Sequence, residues 1–444
     1  MANSQDKPQN QQQSQQQNQA QSQQQSRMPN RQQSQPRSDL QSRQPGCSRI
    51  QQPNHGQSHP QNHFRSQPGR HLAKLFLVLI LITAFVGYGY QKLRKDPITK
   101  SDFLLNTFVS VTIYDSQDER LLDGCMELCR EYERIFSRTI ENSEVSRLNN
   151  RKPGENKVQV SPAAAELIQK GLEYSALSGG AFDITIEPVS SLWDFSGGSQ
   201  AVPDEEALKK GASLVDYRQA AVEGNCVIFS SPDTRIELGA IAKGYIADKI
   251  KEYLAGKGVK SALINLGGNV LCIGERPDKT PFKIGLQKPF QDRRETAAIL
   301  SIADQSVVTS GIYERCFERD GKFYHHILNP ADGLPYDNGL LSVTIVSPCS
   351  ADGDALSTVC FSLGLEKGMA LINRIPQTYA YFITKDYQIH CSNGAEALLE
   401  SLPAGADGQE DAPSELSQRN FADPPISPGN SFTFFQLYTT MKKV

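Results

Sequence analysis

Asp354 and Thr358 stand four residues apart in Asp354-Ala355-Leu356-Ser357-Thr358. That spacing puts a carboxylate and a hydroxyl on one face near the start of a helix. Hard oxygen ligands of this kind suit Mg²⁺ that keeps some waters and shares substrate phosphates. The pair also has a purely structural use, with Asp354 offsetting the helix dipole and Thr358 bonding back to a carbonyl. A second candidate is the small-residue turn Gly239-Ala240-Ile241-Ala242-Lys243-Gly244, which opens a predicted helix. In that helix Ile246, Ile250, Tyr253 and Leu254 recur on one face, and Gly256 and Gly258 stop it. Free N–H groups at its start favour an anion, and Lys243 adds charge, so the turn suits a phosphate. Glycines that only cap and pack would produce the same pattern. The apolar run Ala262 to Leu266 follows and ends on Gly267-Gly268-Asn269, a second place where backbone can approach a ligand closely.

These groups need elements to carry them. The pattern predicts strands over 108–114, 262–266, 282–286, 297–302, 306–313 and 342–346, with a closing hairpin over 379–384 and 388–391. It predicts helices over 121–137, from Ser161-Pro162 to Gly179, over 204–214, 351–363 and 365–374. Residues 182–188 read as a strand or a tight connection. Strands and helices do not alternate regularly, which predicts an α+β fold rather than a doubly wound parallel sheet.

The rest of the chain divides by composition. Residues 1–71 are rich in Gln, Ser, Asn and Pro, with eight Lys/Arg against Asp6 and Asp39, and are expected to be a disordered basic tail. Residues 72–91 form the one apolar run of membrane length, uncharged from Leu75 to Tyr90 and bracketed by Lys74 and Lys92. A leader of seventy residues before it favours an uncleaved single transmembrane anchor over a signal peptide. The basic tail favours an internal N-terminus, so the folded part is expected outside the cytoplasm, at the cell membrane. Nine Cys with no CxxC pair suit buried thiols better than a disulfide framework or a zinc site. Residues 400–444 read as a low-complexity C-terminal tail. A net charge of −3 gives no argument for nucleic acid as a partner.

Six segments, FDITIEPV, ELGAIAKGYIAD, ALINLGGNV, VVTSGIYER, YHHILNPADG and SADGDALSTV, occur in an order and spacing that resembles the ApbE family of FAD:protein FMN transferases. The resemblance covers roughly 103–391, so the folded domain is expected over 100–395. It implies a T-fold-like α+β core, FAD as substrate and Mg²⁺ as cofactor. It further implies transfer of FMN to a Ser or Thr hydroxyl of a partner protein, with release of AMP. The family's metal positions match Asp354, Thr358 and the main-chain carbonyl of Ala240. Its flavin-site segments match at Lys243, Asn265, Gly267, Gly268, Asn269, Thr309, Ser310 and Gly311. His326 matches the histidine of a family turn and is the candidate base. Asn329 and Asp332 depart from that turn's usual Asp and Thr, Glu237 replaces a common Asp, and Asn106-Thr107 replaces Gly-Thr. The acceptor expected from the resemblance and the anchor is an FMN-binding domain of a membrane redox protein. The alternatives are a Mg²⁺-dependent FAD pyrophosphatase, in which water replaces the protein hydroxyl, and a non-catalytic FAD-binding protein.

Overall fold

The computed structural model describes residues 75–83, 96–195, 200–291 and 295–400. The expected tail over 1–71 lies outside these residues, as do the tail after residue 400 and all of the expected span except 75–83. Residues 75–83 are helical, and Leu75, Phe76 and Leu81 are exposed.

Four long helices follow in the main body: α1 (Glu119–Phe136), α2 (Pro162–Leu177), α3 (Ala242–Gly256) and α4 (Ser350–Ile372). Each start has a physical cause. Asp118 caps α1 by accepting the Arg120 N–H, and Ser161 caps α2 by accepting the Ala164 N–H, with Pro162 at the first position as its sequence predicts. The strands, in chain order, are β1 (Ile98–Leu104), β2 (Thr107–Ile113), β3 (Lys157–Gln159), β4 (Ala220–Glu223), β5 (Cys226–Phe229), β6 (Ala262–Leu266), β7 (Asn269–Ile273), β8 (Phe282–Gln287), β9 (Thr296–Ile302), β10 (Ser306–Gly311), β11 (Cys316–Arg319), β12 (Lys322–His325), β13 (Leu340–Ser347), β14 (Tyr379–Thr384) and β15 (Ile389–Cys391).

Eight of them make one antiparallel sheet in the order β1-β2-β6-β7-β10-β13-β14-β15. A mixed fold built on an antiparallel sheet with helices packed on one face is what irregular alternation of elements implies. Val109, Val111 and Ile113 of β2 and Ala262, Ile264 and Leu266 of β6 point into the core shared with α1, α3 and α4. Across the sheet, the β8–β9 hairpin covers β7, β10, β13 and β14 through Phe282, Leu286, Leu300 and Ile302. The β1–β2–β6 end of that second face has no such cover and forms one wall of a large cleft. Every position of β13 is buried, as fits an interior strand covered on both faces.

At three places the structure sharpens the sequence expectation. Residues 182–188 form the tight connection and not the strand: Asp183 Oδ1 accepts the Thr185 N–H at 2.7 Å, turning the chain into a short helix at Glu187–Ser190. The run ending on Gly267-Gly268 continues as β7, so the glycines are a hairpin turn with φ of 65° and 93°. The predicted helices 351–363 and 365–374 both form and meet at a break at Gly364, where φ is 78° and ψ 176°; the two pieces together are α4. Among the described residues α4 is the one helix long and apolar enough to cross a membrane, yet it is the core helix, with Ala355, Leu356, Val359 and Phe361 buried.

Candidate active site

The site is built where α3 and α4 begin side by side. Leu238 carbonyl accepts the N–H groups of Ile241 and Ala242, closing the turn from which α3 rises. The Gly244 N–H does not close on the Ala240 carbonyl in the helical manner. It donates to Asp354 Oδ2 at 2.9 Å, which frees the Ala240 carbonyl of its usual partner. The approach depends on Gly244 having no side chain, since a Cβ there would lie 2.2 Å from the Ser350 carbonyl oxygen. In the reverse direction, Asp248 of α3 caps α4. Its Oδ1 accepts the Ser350 N–H at 2.9 Å, and its Oδ2 accepts the Ala351 N–H at 2.8 Å and the Cys349 thiol at 3.2 Å.

The start of α3 thus commits its Gly244 N–H to Asp354 and not to a phosphate. Burial raises the Asp354 pKa above the usual carboxylate range; the Lys243 charge, the Gly244 N–H and the Asn269 amide pull it back, and Asp248 pushes it up. Thr358, one turn further along α4, bonds Ser310 at 3.0 Å, and Ser310 also bonds Ser357 at 2.7 Å. Thr309 faces the other side of β10 and pairs with Thr344 across the strands at 2.8 Å.

These groups open into a cleft of about 2740 Å³. Ala240, Lys243, Asn265, Gly267, Gly268, Thr309, Ser310, Gly311, His326, Asp354 and Thr358 all line it. Asn265 Oδ1 accepts the Gly268 N–H at 2.9 Å and holds the hairpin turn, while Gly267 gives way to Thr107, whose Oγ1 lies 2.1 Å from where a Cβ would stand. Asn269 is the exception among the expected site residues. It lies beneath the cleft floor, 1% exposed, and accepts the Ser350 hydroxyl at 2.8 Å.

The two adjacent histidines separate cleanly. His325 turns inward, with Nε2 donating to the Tyr336 carbonyl at 2.9 Å and Nδ1 accepting the Ile327 N–H at 3.3 Å. Burial lowers its pKa to about 4. His326 turns to the cleft, with Nδ1 donating to the Arg315 carbonyl at 3.3 Å. Burial first, then the charges of Arg315, His325 and Lys243, lower its pKa to about 3. The ring is therefore neutral at neutral pH. Its Nδ1–H is spent on the carbonyl, so the free lone pair is on Nε2.

Sequence reasoning did not assign roles to Asp248, Ser350, or the Arg138–Glu237–Ser190 group on another part of the wall. In that group Arg138 Nε lies 3.4 Å from Glu237 Oε1, and Ser190 donates to Glu237 Oε2. Asp248 and Glu237 both sit inside the quoted ELGAIAKGYIAD segment, which was the available signal. Asn329 and Asp332, which depart from the usual turn, bond each other at 3.2 Å, and each accepts a backbone N–H of that turn.

The chain is similar to known proteins over most of this body. The sequence model of the ApbE family matches residues 105–383. A Klebsiella pneumoniae (strain 342) protein named FAD:protein FMN transferase is 38% identical over 307 residues, covering 69% of this chain and 95% of that protein. A protein of the same name from Treponema pallidum (strain Nichols) is 33% identical over 347 residues, covering 74% and 95% respectively. Among solved structures, the ApbE protein of Thermotoga maritima superposes with a TM-score of 0.63 at 28% identity, covering 69% of this chain and 100% of that one. The flavin transferase ApbE of Vibrio cholerae gives 0.62 at 26% identity, covering 68% and 99%.

Proposed function

As a member of the ApbE family the chain is an FAD:protein FMN transferase, and we propose that it uses Mg²⁺ to move FMN from FAD onto a Ser or Thr hydroxyl of a partner protein. The observation that carries the metal is the α3–α4 junction. One buried carboxylate, one hydroxyl and one carbonyl freed from its helix line the cleft at this junction, with Lys243. Such a donor set of hard oxygens fits Mg²⁺ shared with substrate phosphates. Among the described residues no group of three or more His, Cys, Asp and Glu gathers, so a single-carboxylate site of this kind is the one on offer. When bound, Mg²⁺ supplies charge neutralisation at the pyrophosphate.

The chain's own groups do the rest. Lys243 places a positive charge beside the pyrophosphate. The acceptor hydroxyl oxygen forms a bond to the FMN-side phosphorus as the bond from that phosphorus to the AMP oxygen breaks. His326 Nε2 takes the hydroxyl proton. Its pKa of about 3 makes the free ring a weak base, and the incoming phosphate charge raises it. The cleft is several times larger than the ~300–1,000 Å³ of an ordinary small-molecule pocket, which leaves room for a protein segment beside the dinucleotide.

The partner we propose is an FMN-binding domain of a membrane redox protein. We propose further that residues 72–91 anchor the enzyme in the cell membrane as a single span. The catalytic domain then lies outside the cytoplasm, near its acceptors. Protease added to spheroplasts should digest the folded domain; digestion of the tail alone reverses the orientation. The activity is tested with purified protein, FAD, Mg²⁺ and candidate acceptor domains. The expected product is a fluorescent acceptor band that survives denaturation, with the mass of FMN added. AMP and free FMN with no labelled protein from any acceptor would replace this reading with a pyrophosphatase.

A further inference from the structure

Beneath Asp354 lies a polar layer that contacts neither the cleft nor the solvent. Asn269 opens β7 with its amide sealed off at 1% exposure. Its Oδ1 accepts the Ser350 hydroxyl at 2.8 Å, and the Ser350 oxygen itself accepts the Ser306 hydroxyl at 3.0 Å. With its oxygen committed to a donor, the amide must turn its nitrogen away from Ser350. The nitrogen faces Asp354, near enough to act on the carboxyl but outside hydrogen-bond geometry with any acceptor. A buried donor left in that state is costly unless something in the working protein makes use of it.

The placement argues against a flavin contact, because no atom of the cleft surface belongs to Asn269. It argues for a role one layer back. A carboxylate that gives lone pairs to a cation is held in orientation by donors on its remaining lone pairs, and such outer donors tune affinity strongly. Gly244 N–H supplies one donor to Asp354, and the Asn269 amide is the other polar donor aimed at it. We infer that Asn269, fixed in its orientation by Ser350, is a positioning residue that aims the Asp354 carboxylate at a divalent cation and is not a flavin contact. This rests on the metal reading above.

Two titrations on the full chain test it, with Mn²⁺ as the metal probe in the absence of flavin and FAD as the flavin probe in EDTA. Asn269→Ala should weaken Mn²⁺ binding about 10- to 100-fold and leave metal-free FAD binding within about twofold of the parent. In turnover, the Mg²⁺ concentration for half-maximal rate should rise by a similar factor while kcat at saturating Mg²⁺ recovers. A purely structural residue would lower kcat without that recovery. Ser350→Ala keeps the Asn269 volume and releases its amide, along with the Ser306 hydroxyl, so it should show the same pattern more weakly. It also carries the test if Asn269→Ala does not fold. Unchanged Mn²⁺ affinity in the folded variants overturns the inference, and loss of metal-free FAD binding would make Asn269 a flavin group instead. A parent protein that binds no Mn²⁺ overturns the metal reading itself, an outcome visible before any variant is made.

Discussion

The helices α3 and α4 start within reach of one another, and each receives an aspartate from its neighbour, but the two aspartates are treated differently. Asp248 spends both oxygens on the first turn of α4, taking two backbone N–H groups and a thiol. Asp354 takes one N–H, that of Gly244, and keeps the rest of its capacity toward the cleft. Burial raises the pKa of both. What offsets the burial differs: backbone N–H groups lead for Asp248, whereas for Asp354 the leading influence is the charge of Lys243. The same residue type in a mirrored position is therefore saturated in one case and left open in the other. Incomplete satisfaction marks the functional carboxylate, and burial alone does not.

The largest expected effect breaks this comparison outright if it fails. Asp354→Ala should lower FMN transfer by at least about 10³-fold, the order lost when a charge-stabilising element is removed. Its melting temperature should move less than that of Asp248→Ala, because relief of a carboxylate that burial disfavours offsets the loss of the Gly244 N–H acceptor. Asp248→Ala should do the reverse, costing about 2–4 kcal/mol in denaturant unfolding as the start of α4 loses its acceptors, with the smaller loss of activity. Variants that lose activity and stability in equal measure would show the two carboxylates to be one structural unit. Between these in size, His326→Gln should slow transfer about 10²-fold at saturating acceptor without moving the half-maximal Mg²⁺ concentration. A shift in that concentration would place His326 with the metal and not with the hydroxyl.

How much of this was legible depends on how local the cause is. The Asp354–Thr358 face, the caps at Ser161 and the Gly267-Gly268 turn rest on spacings of a few residues, and the chain folds as those spacings say. Motif order placed eleven expected site residues on one cleft. The burial of Asn269 was hidden because its tie to Ser350 spans 81 residues, and Asp248 reaches Ser350 across 102. No periodicity encodes such a pairing. β1 escaped for another reason. It is an edge strand whose Lys100 and Asp102 pair with Asp123 and Arg130 of α1, so charged residues stand where apolar alternation would signal a strand.

The smallest expected effect concerns pH, and it separates the histidines from the carboxylates. His325 and His326 have folded pKa values of about 4 and about 3, below the ~6.5 of an unfolded histidine. As pH falls through 6.5 the unfolded chain binds these protons first, so stability drops from that point down toward the folded values. Asp248 and Asp354 have the opposite sign. Their pKa values are raised by folding, so the folded state binds protons first, and acid favours it once the carboxylate range is approached. Unfolding midpoints in denaturant should therefore be flat near pH 7, fall below about 6.5, and fall less steeply as the carboxyls begin to titrate. His326→Gln should flatten the upper part of the fall by at most one proton's share, about 1.4 kcal/mol per pH unit. Asp354→Ala should leave that part unchanged and steepen the fall in the carboxylate range, since an opposing proton uptake has been removed. If Asp354→Ala leaves the acid limb as it was, Asp354 titrates in the fold as it does unfolded. The contrast with Asp248 would then rest on hydrogen bonds alone.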